Sequence, residues 1–401
     1  MNEDTANEST PANAPAGPYA LEDLFDLSAP QGRYRDMMEQ APVHRIMDGF
    51  VMVMSREAID ETFRDPQRFS SAYGGGVPLG NVRPLIPLSV DPPDHAKYRK
   101  VLDPLFAPKR MDAIEGDIAA RFNRFLDTFA DRGSCHFTDE LAVPFPSAVF
   151  LGLMGLPWEE LPTFLRMKDG IIRPKSESGT PEDNAQVQRD TAQDIYAFFN
   201  GILDEREKAP TDDILSHFLV AEIDGQKLTR NEILDICFLF LIAGLDTVTD
   251  SLTCFFAYLG QHPEHQRAIA ADLSIIPAAV EELLRWESPV AGVPRFATVE
   301  TEIGGCPVHV GDSLMVNVGA ANVDPPAFPD GFAVRFDRDV NPHIAFGGGV
   351  HRCLGSHLAR RELRVAMREW HKRIPEYRLK PGIELEYAPA LRTVENLELE
   401  W

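Results

Sequence analysis

Apolar residues recur at the three- and four-residue spacing of amphipathic helices through most of this chain. This spacing predicts helices over residues 56–64, 94–106, 111–132, 144–154, 184–208, 230–261 and 277–287. Runs with strand-like character are shorter, and they cover residues 44–46, 50–54, 298–303, 307–310, 314–318 and 383–387. Long helices with small appended sheets predict a mainly α fold with small β-sheets, built as a single large α-rich domain.

The segments between these elements also carry predictions. Residues 1–18 have neither a basic start nor an apolar core, so we expect a disordered leader followed by a domain at residues 19–401. Residues 77–88 are interrupted by prolines and a glycine, and we predict a long loop there. The most apolar run, residues 236–245, is too short to cross a bilayer, which predicts a buried helix instead of a membrane span.

Composition narrows the function classes. The 39 Lys and Arg residues against 62 Asp and Glu residues give a net charge of −23, which disfavours binding to nucleic acid or to anionic membranes. A hydrophobic content of 44% and a charged content of 25% are typical of globular proteins. Five cysteines without a CxxC pair argue against a disulfide framework, and we expect a cytoplasmic protein.

Residues 346–355 read Phe-Gly-Gly-Gly-Val-His-Arg-Cys-Leu-Gly, and a helical pattern follows them. The glycines allow left-handed backbone conformations, and the start of a helix favours a thiolate at Cys353. A lone thiolate on such a loop suits an axial ligand to iron. A buried structural cysteine is one alternative, and a nucleophile paired with His351 is another.

Two further segments carry polar residues on predicted helices. Thr247 follows Ala243 by four residues, so its hydroxyl can compete for the Ala243 carbonyl and open the helix, and Asp246 can deliver protons there. A plain buried helix with a solvated aspartate is the alternative. Glu282 and Arg285 lie three apart and can pair, although a surface ion pair is the default interpretation of that spacing.

Together, and in this order, the three segments resemble the cytochrome P-450 family, whose haem-binding pattern F-G-x-G-x-H-x-C-x-G is matched at every fixed position. The resemblance implies that Cys353 is the proximal ligand of haem b and that Phe346 packs near its sulfur. It implies that Gly347 and Gly349 shape the loop so that backbone N–H groups reach the sulfur. It also implies that Gly355 lets the next helix approach the porphyrin.

The same resemblance assigns roles to the helical segments. Asp246 and Thr247 become the proton relay for oxygen activation, with Asp250 as a candidate auxiliary. Glu282 and Arg285 become a structural pair, which either Arg335 or Arg338 would complete; the sequence leaves that choice open. The haem propionates would be held by His95, Arg99, Arg295 and His351.

Similarity runs from about residue 25 to residue 401 and is greatest to the camphor-hydroxylase-like bacterial branch. By position, the substrate pocket would be lined by Leu88, Leu239, Ile242, Ala243, Thr247, Val290, Val293, Ala390 and Leu391. Mostly aliphatic lining favours a small hydrophobic substrate such as a terpenoid or a small aromatic compound. Arg83 falls where the camphor enzyme has a tyrosine, so it either binds a substrate carboxylate or points to solvent.

The resemblance implies a monooxygenase that uses O2 and NAD(P)H. No flavin or nicotinamide motif is seen, so electrons would arrive from an iron–sulfur ferredoxin and its reductase. Basic residues near the cysteine predict the docking face, and they are Arg352, Arg360, Arg361 and Arg364. The alternatives are a haem-thiolate enzyme that uses peroxide or rearranges its substrate, and a haem-based sensor.

Overall fold

The computed structural model describes residue 24 and residues 26–72, 79–388 and 391–401. Its helices are α1 (Pro30–Gln40), α2 (Arg56–Arg64), α3 (Asp94–Leu102), α4 (Pro108–Ala113), α5 (Glu115–Leu126), α6 (Pro144–Leu153), α7 (Leu161–Ile172), α8 (Pro181–Lys208), α9 (Ile214–Val220), α10 (Arg230–Gln261), α11 (Pro263–Ala271), α12 (Ile276–Glu287), α13 (Val318–Ala321) and α14 (Ser356–Arg373). The predicted leader at residues 1–18 and the pocket residue Ala390 lie outside the described residues.

The strands are short and fall into small sheets. They are β1 (Val43–Met47), β2 (Phe50–Val53), β3 (Phe69–Ser70), β4 (Ser134–His136), β5 (Glu222–Ile223), β6 (Gln226–Lys227), β7 (Val293–Ala297), β8 (Thr301–Ile303), β9 (Cys306–Val308), β10 (Ser313–Val316), β11 (Arg378–Leu379) and β12 (Glu398–Glu400). The largest sheet has the order β1-β2-β10-β7-β3, and β10 runs parallel to β2 with Leu314 opposite Val51. A second sheet has the order β11-β12-β4.

Helix α10 forms the centre of the main hydrophobic core. Its start is fixed by a capping box, in which the Thr229 side chain accepts the N–H of Glu232 and the Glu232 carboxylate accepts the N–H of Thr229. It ends where Pro263 begins the next helix. Helices α6, α7, α8, α12 and α14 pack around it. The bounds predicted for this helix, residues 230–261, are therefore confirmed, and so is the mainly α fold.

Some predicted elements differ from the structure. The helix predicted over 111–132 is two helices, α4 and α5, separated by Ile114, whose backbone leaves the helical region. Residues 383–387 form no strand; Tyr387 alone makes an isolated bridge, to Val394. Hydrophobic spacing does not register a one-residue break, and a β-like run needs a partner strand to become one. No described helix has the length and apolarity needed to cross a membrane.

Candidate functional site

The cysteine loop is held by its own backbone hydrogen bonds. The N–H of Cys353 donates to the carbonyl of Phe346 at 2.9 Å, and the N–H of Gly347 donates to Ile344 at 2.8 Å. Gly347 and Gly349 both have positive φ angles, 68° and 63°, which glycine adopts without strain. A Cβ at Gly349 would overlap the carbonyl oxygen of Phe63 at the end of α2, so the loop approaches that helix too closely for any other residue.

Cys353 keeps solvent-accessible surface, yet burial by the surrounding chain raises the pKa of its thiol. The N–H of Gly355 hydrogen-bonds the sulfur and opposes that rise. The thiolate expected at a helix start is therefore not favoured for the free thiol, because α14 begins at Ser356 and desolvation dominates. Coordination to a metal deprotonates such a thiol outright.

Four basic side chains meet beside this loop, and one of them, Arg99, is already paired with Asp103 at 2.6 Å and donates to the Arg352 carbonyl at 2.8 Å. The rings of His95 and His351 lie 4.2 Å apart, and both Nε2 atoms lack a hydrogen-bond partner among the described residues. Burial and the charges of His95, Arg295 and Arg99 lower the pKa of His351 to about 3. Burial lowers the pKa of Arg295 to about 10. Asp91 is 4.0 Å from His351, but it also accepts from Ser70 and Ser71. The cluster fits a buried dianion such as the propionate pair of a haem.

The middle of α10 contains an exposed position. Ala243 is exposed although most of the helix around it is buried. The hydroxyl of Thr247 donates to the Ala243 carbonyl at 3.1 Å, as predicted. The helix nevertheless remains continuous there, so the predicted local opening is wrong: a hydroxyl can share a carbonyl without removing the backbone bond.

Asp246 belongs to a buried ion cluster that sequence reasoning missed. Lys168 of α7 approaches one Asp246 oxygen at 3.0 Å, and Arg173 lies 3.5 Å from the other. Both Lys168 and Asp246 side chains are only 1% exposed. Asp246 therefore does not face a solvated helix end. No helix was predicted around Lys168, and helical spacing alone would not link it to α10.

Arg83 has neither of the two predicted roles. Its Nε donates to both oxygens of Asp235 at 2.9 and 3.0 Å, and its guanidinium lies 4.8 Å from the ring centre of Tyr196. Asp235 is on α10 and Tyr196 is on α8. The loop therefore uses its charge to attach itself to these two helices, so Arg83 neither points freely to solvent nor remains unpaired for a ligand.

Glu282 and Arg285 form a fully buried pair, not a surface pair. Arg285 donates to both Glu282 oxygens at 2.7 and 2.8 Å. Arg338 also donates to Glu282, at 3.0 Å, whereas Arg335 reaches it through its backbone N–H at 2.8 Å. Asn341 adds a further donor at 3.0 Å. Both candidate arginines contact Glu282, and the guanidinium that completes the network belongs to Arg338.

The predicted pocket residues are brought together only in part. Leu239, Ile242 and Ala243 share one face of α10 by their spacing. The N–H of Arg392 donates to the carbonyl of Pro289 at 2.9 Å, which brings the segments that contain Leu391 and Val290 side by side. Val293 pairs with Val316 in the large sheet and is half-buried, and Leu88 is exposed.

A profile of the family described as Cytochrome P450 matches residues 175–370. The Probable cytochrome P450 127A1 of Sinorhizobium fredii is 35% identical over 325 residues, which cover 80% of this chain and 76% of that protein. The Steroid C26-monooxygenase of Mycolicibacterium smegmatis is 32% identical and covers 89% of this chain and 88% of its own.

Solved structures give the same result. Cytochrome P450 CYP109Q5 from Chondromyces apiculatus superposes with a TM-score of 0.85 at 29% identity, over 95% of this chain and 96% of that one. CYP109E1 from Bacillus megaterium, in complex with corticosterone, has a TM-score of 0.84 at 27% identity, over 94% and 99%.

The fold and the relatives define a class of haem-thiolate monooxygenases. The chain belongs to the cytochrome P450 family, and the resemblance predicted from its motifs is confirmed. The predicted single P450-type fold is confirmed as well.

Proposed function

We propose that this chain binds haem b through Cys353 and uses O2, with electrons from an iron–sulfur ferredoxin, to hydroxylate an uncharged apolar substrate. The observation that carries the proposal is the buried cluster of His95, Arg295 and His351 beside the cysteine loop. Haem bound by a thiolate supplies the activation of O2. Cys353 would provide the sulfur, and His95, Arg99, Arg295 and His351 would hold the propionates.

The carbon monoxide difference spectrum of the dithionite-reduced protein tests the haem site. We expect the red-shifted Soret band typical of thiolate ligation, and its loss in Cys353→Ser. Cys306→Ser is the matched control, because Cys306 is partly exposed in strand β9 and should leave the band intact. Absence of haem absorbance after supplementation would contradict haem binding. A band typical of histidine ligation would contradict the role of Cys353.

Thr247 and Asp246 would handle protons at this site. The Thr247 hydroxyl lies on an accessible stretch of α10 and would hold a proton at its Oγ1. Asp246, buried with Lys168, would pass protons inward from the protein. We expect Thr247→Ala to lower the fraction of NAD(P)H that yields product. Ser251→Ala is the control, because Ser251 makes the same type of bond one turn later, to the Thr247 carbonyl at 2.8 Å. Unchanged coupling would favour peroxide use or rearrangement.

The substrate would be uncharged. Arg83, which lies in the same loop as the predicted pocket residue Leu88, is already paired with Asp235, so it offers no unpaired charge to an anionic ligand. The predicted lining on α10 is aliphatic. Relatives act on or bind steroids by name, and terpenoids and small aromatics have the same apolar character. In a binding titration followed by the Soret shift, neutral steroids or terpenoids should bind more tightly than their carboxylate analogues. The reverse order would contradict this assignment.

The electron donor would dock beside Cys353. A groove of about 460 Å³ lies there, lined by Pro108, Met111, Asp112, Arg352, His357, Arg360, Arg361 and Arg364. The predicted basic patch is partly neutralised, because Arg360 and Arg364 bind Glu281 and Arg361 binds Glu115. Arg352 is exposed and has no carboxylate within ion-pair distance among the described residues.

Stopped-flow reduction by an acidic ferredoxin tests this docking site. Arg352→Glu should slow reduction, and the effect should shrink with added salt because exposed charges are screened. Arg166→Glu is the charge-matched control, because Arg166 is also exposed, on α7, and this variant should be reduced at the wild-type rate. Equal rates for Arg352→Glu and the wild type would exclude the groove as the docking site.

A further inference from the structure

Asp250 is a buried carboxyl group that the function proposed above does not use. It lies one helical turn after Asp246 on α10, so the two side chains share a face. Asp250 is completely buried. Neither of its carboxylate oxygens has a hydrogen-bond partner among the described residues. An ionised carboxylate in that position would be desolvated with too little hydrogen bonding to compensate, which strongly favours its neutral form.

The two cations near Asp250 pair with Asp246 and not with Asp250. Lys168 is 3.0 Å and Arg173 is 3.5 Å from the Asp246 oxygens, so both contact Asp246 and act on Asp250 only at longer range. The hydroxyl of Thr393 faces Asp250 from the C-terminal segment and lies 3.1 Å from the Thr253 hydroxyl. Its interaction with Asp250 lowers the pKa of that carboxyl but does not outweigh burial, which raises it.

The other titratable groups that face Asp250 do not charge it. Cys254 lies one turn further along α10, and burial raises the pKa of its thiol, so it is neutral. The Asp246 charge opposes a second negative charge beside it. Burial and then Asp246 raise the pKa of Asp250 well above its ordinary value, which agrees with the geometry.

We propose that Asp250 is held as a neutral carboxylic acid and serves as the proton store for Asp246. The proposal rests on the function proposed above, in which Asp246 delivers protons. In the transfer, the O–H bond of Asp250 breaks and an O–H bond forms on the Asp246 carboxylate, so one proton moves and no electrons change. Asp250 is left ionised and is then reprotonated from water.

The ion pairs reach the surface on the side of Asp246. Lys168, which contacts Asp246, also contacts Asp169 at 3.2 Å, and the Asp169 side chain is 57% exposed. Arg173 also contacts Glu395 at 3.5 Å, but an arginine keeps its proton and serves only as a fixed charge. The proton therefore returns from water through Asp169, Lys168 and Asp246, and passes from Asp246 back to Asp250.

Infrared difference spectroscopy of the haem-loaded full chain tests the protonation state. At neutral pH we expect the wild type to show a carbonyl-stretch band of a protonated carboxylic acid that shifts in D2O and on labelling with ¹³C-aspartate. The band should be absent from Asp250→Asn and retained in Asp246→Asn. Glu362 is a second fully buried carboxyl with a raised pKa, caused by desolvation, and the aspartate label separates its band from that of Asp250. Labelling needs no substitution, so the test survives if a variant fails to fold. A wild type without an aspartate band overturns the proposal.

Coupling of NAD(P)H use to product tests the proton-store role. Asp250→Asn should lower coupling several-fold and increase the solvent deuterium isotope effect, with the substrate-induced Soret shift unchanged. A merely structural carboxyl would leave the isotope effect at its wild-type value, and that result overturns the proposal. Failure of the function itself would appear separately, as a wild type without a thiolate-type carbon monoxide band or without turnover.

Discussion

Replacement of Arg285 by Ala tests whether the buried network around Glu282 stabilises the fold. Arg285 makes five hydrogen bonds, two to Glu282 and one each to the carbonyls of Asn322, Gly331 and Ala333, all between 2.7 and 2.9 Å. Removing one partner of a buried ion pair costs about 3–5 kcal/mol. Orphaned buried carbonyls add about 1–3 kcal/mol each. The sum approaches the whole stability of a typical domain, about 5–15 kcal/mol.

The assay for this variant is urea unfolding followed by tryptophan fluorescence, together with the carbon monoxide difference spectrum. Arg285→Ala should unfold at much lower urea or fail to bind haem. The effect should reach the cysteine loop, because Asn322 accepts the N–H of Ile344, two residues before Phe346, at 2.8 Å. Arg285→Lys should be intermediate, since a lysine keeps the charge but lacks the guanidinium fork.

A matched surface control is Arg378→Ala, whose pair with Glu400 is exposed, because exposed ion pairs contribute about 0–1 kcal/mol. An Arg285→Ala protein with the wild-type unfolding midpoint would refute the argument that the network is structural.

Three further predictions follow from the loop and the core. Gly349→Ala should lower the midpoint of thermal unfolding and weaken the thiolate-type carbon monoxide spectrum. The added Cβ would overlap the Phe63 carbonyl, and the φ angle of 63° is one that alanine rarely adopts. A wild-type midpoint would contradict this. Arg83→Ala removes the guanidinium that pairs with the buried Asp235. Residues 79–88 should then be cleaved faster in limited proteolysis, and substrate should dissociate faster. Cleavage at the wild-type rate would rule out that Arg83 attaches the loop. Burial lowers the pKa of His371 from 6.5 to about 4. Between these two values the unfolded chain binds a proton on His371 that the folded protein does not bind. The free energy of unfolding should therefore fall by about 1.4 kcal/mol per pH unit as the pH drops from 6.5 to 4. His371→Gln should remove that part of the slope, and an unchanged slope measured by urea unfolding would contradict it.

A structural feature could be predicted from the sequence where a single continuous segment determines it. The bounds of α10 could be predicted because a capping threonine, a long apolar run and a following proline all lie in the same stretch. The loop around Cys353 could be predicted for the same reason, since its glycines and its cysteine are consecutive.

Long-range pairing was beyond the sequence pattern. Lys168 and Asp246 are 78 residues apart in the sequence, and no spacing rule predicts that they meet. The pairing of Arg83 with Asp235 likewise depends on how the loop that contains Arg83 packs against α8 and α10. Strand β7 was not predicted, because it becomes a strand only by pairing with β10 on one side and β3 on the other.

The parallel pairing of β2 with β10 has a consequence for biosynthesis. Strand β10 and the loop that contains Cys353 both follow β2 by more than 250 residues in the sequence. Contacts between residues so far apart in sequence form slowly, and this one cannot form before β10 has been synthesised. Strand β2 and its hairpin partner β1 therefore wait for β10 as the chain is made, and until then the edge of that hairpin is open to pairing with other strands.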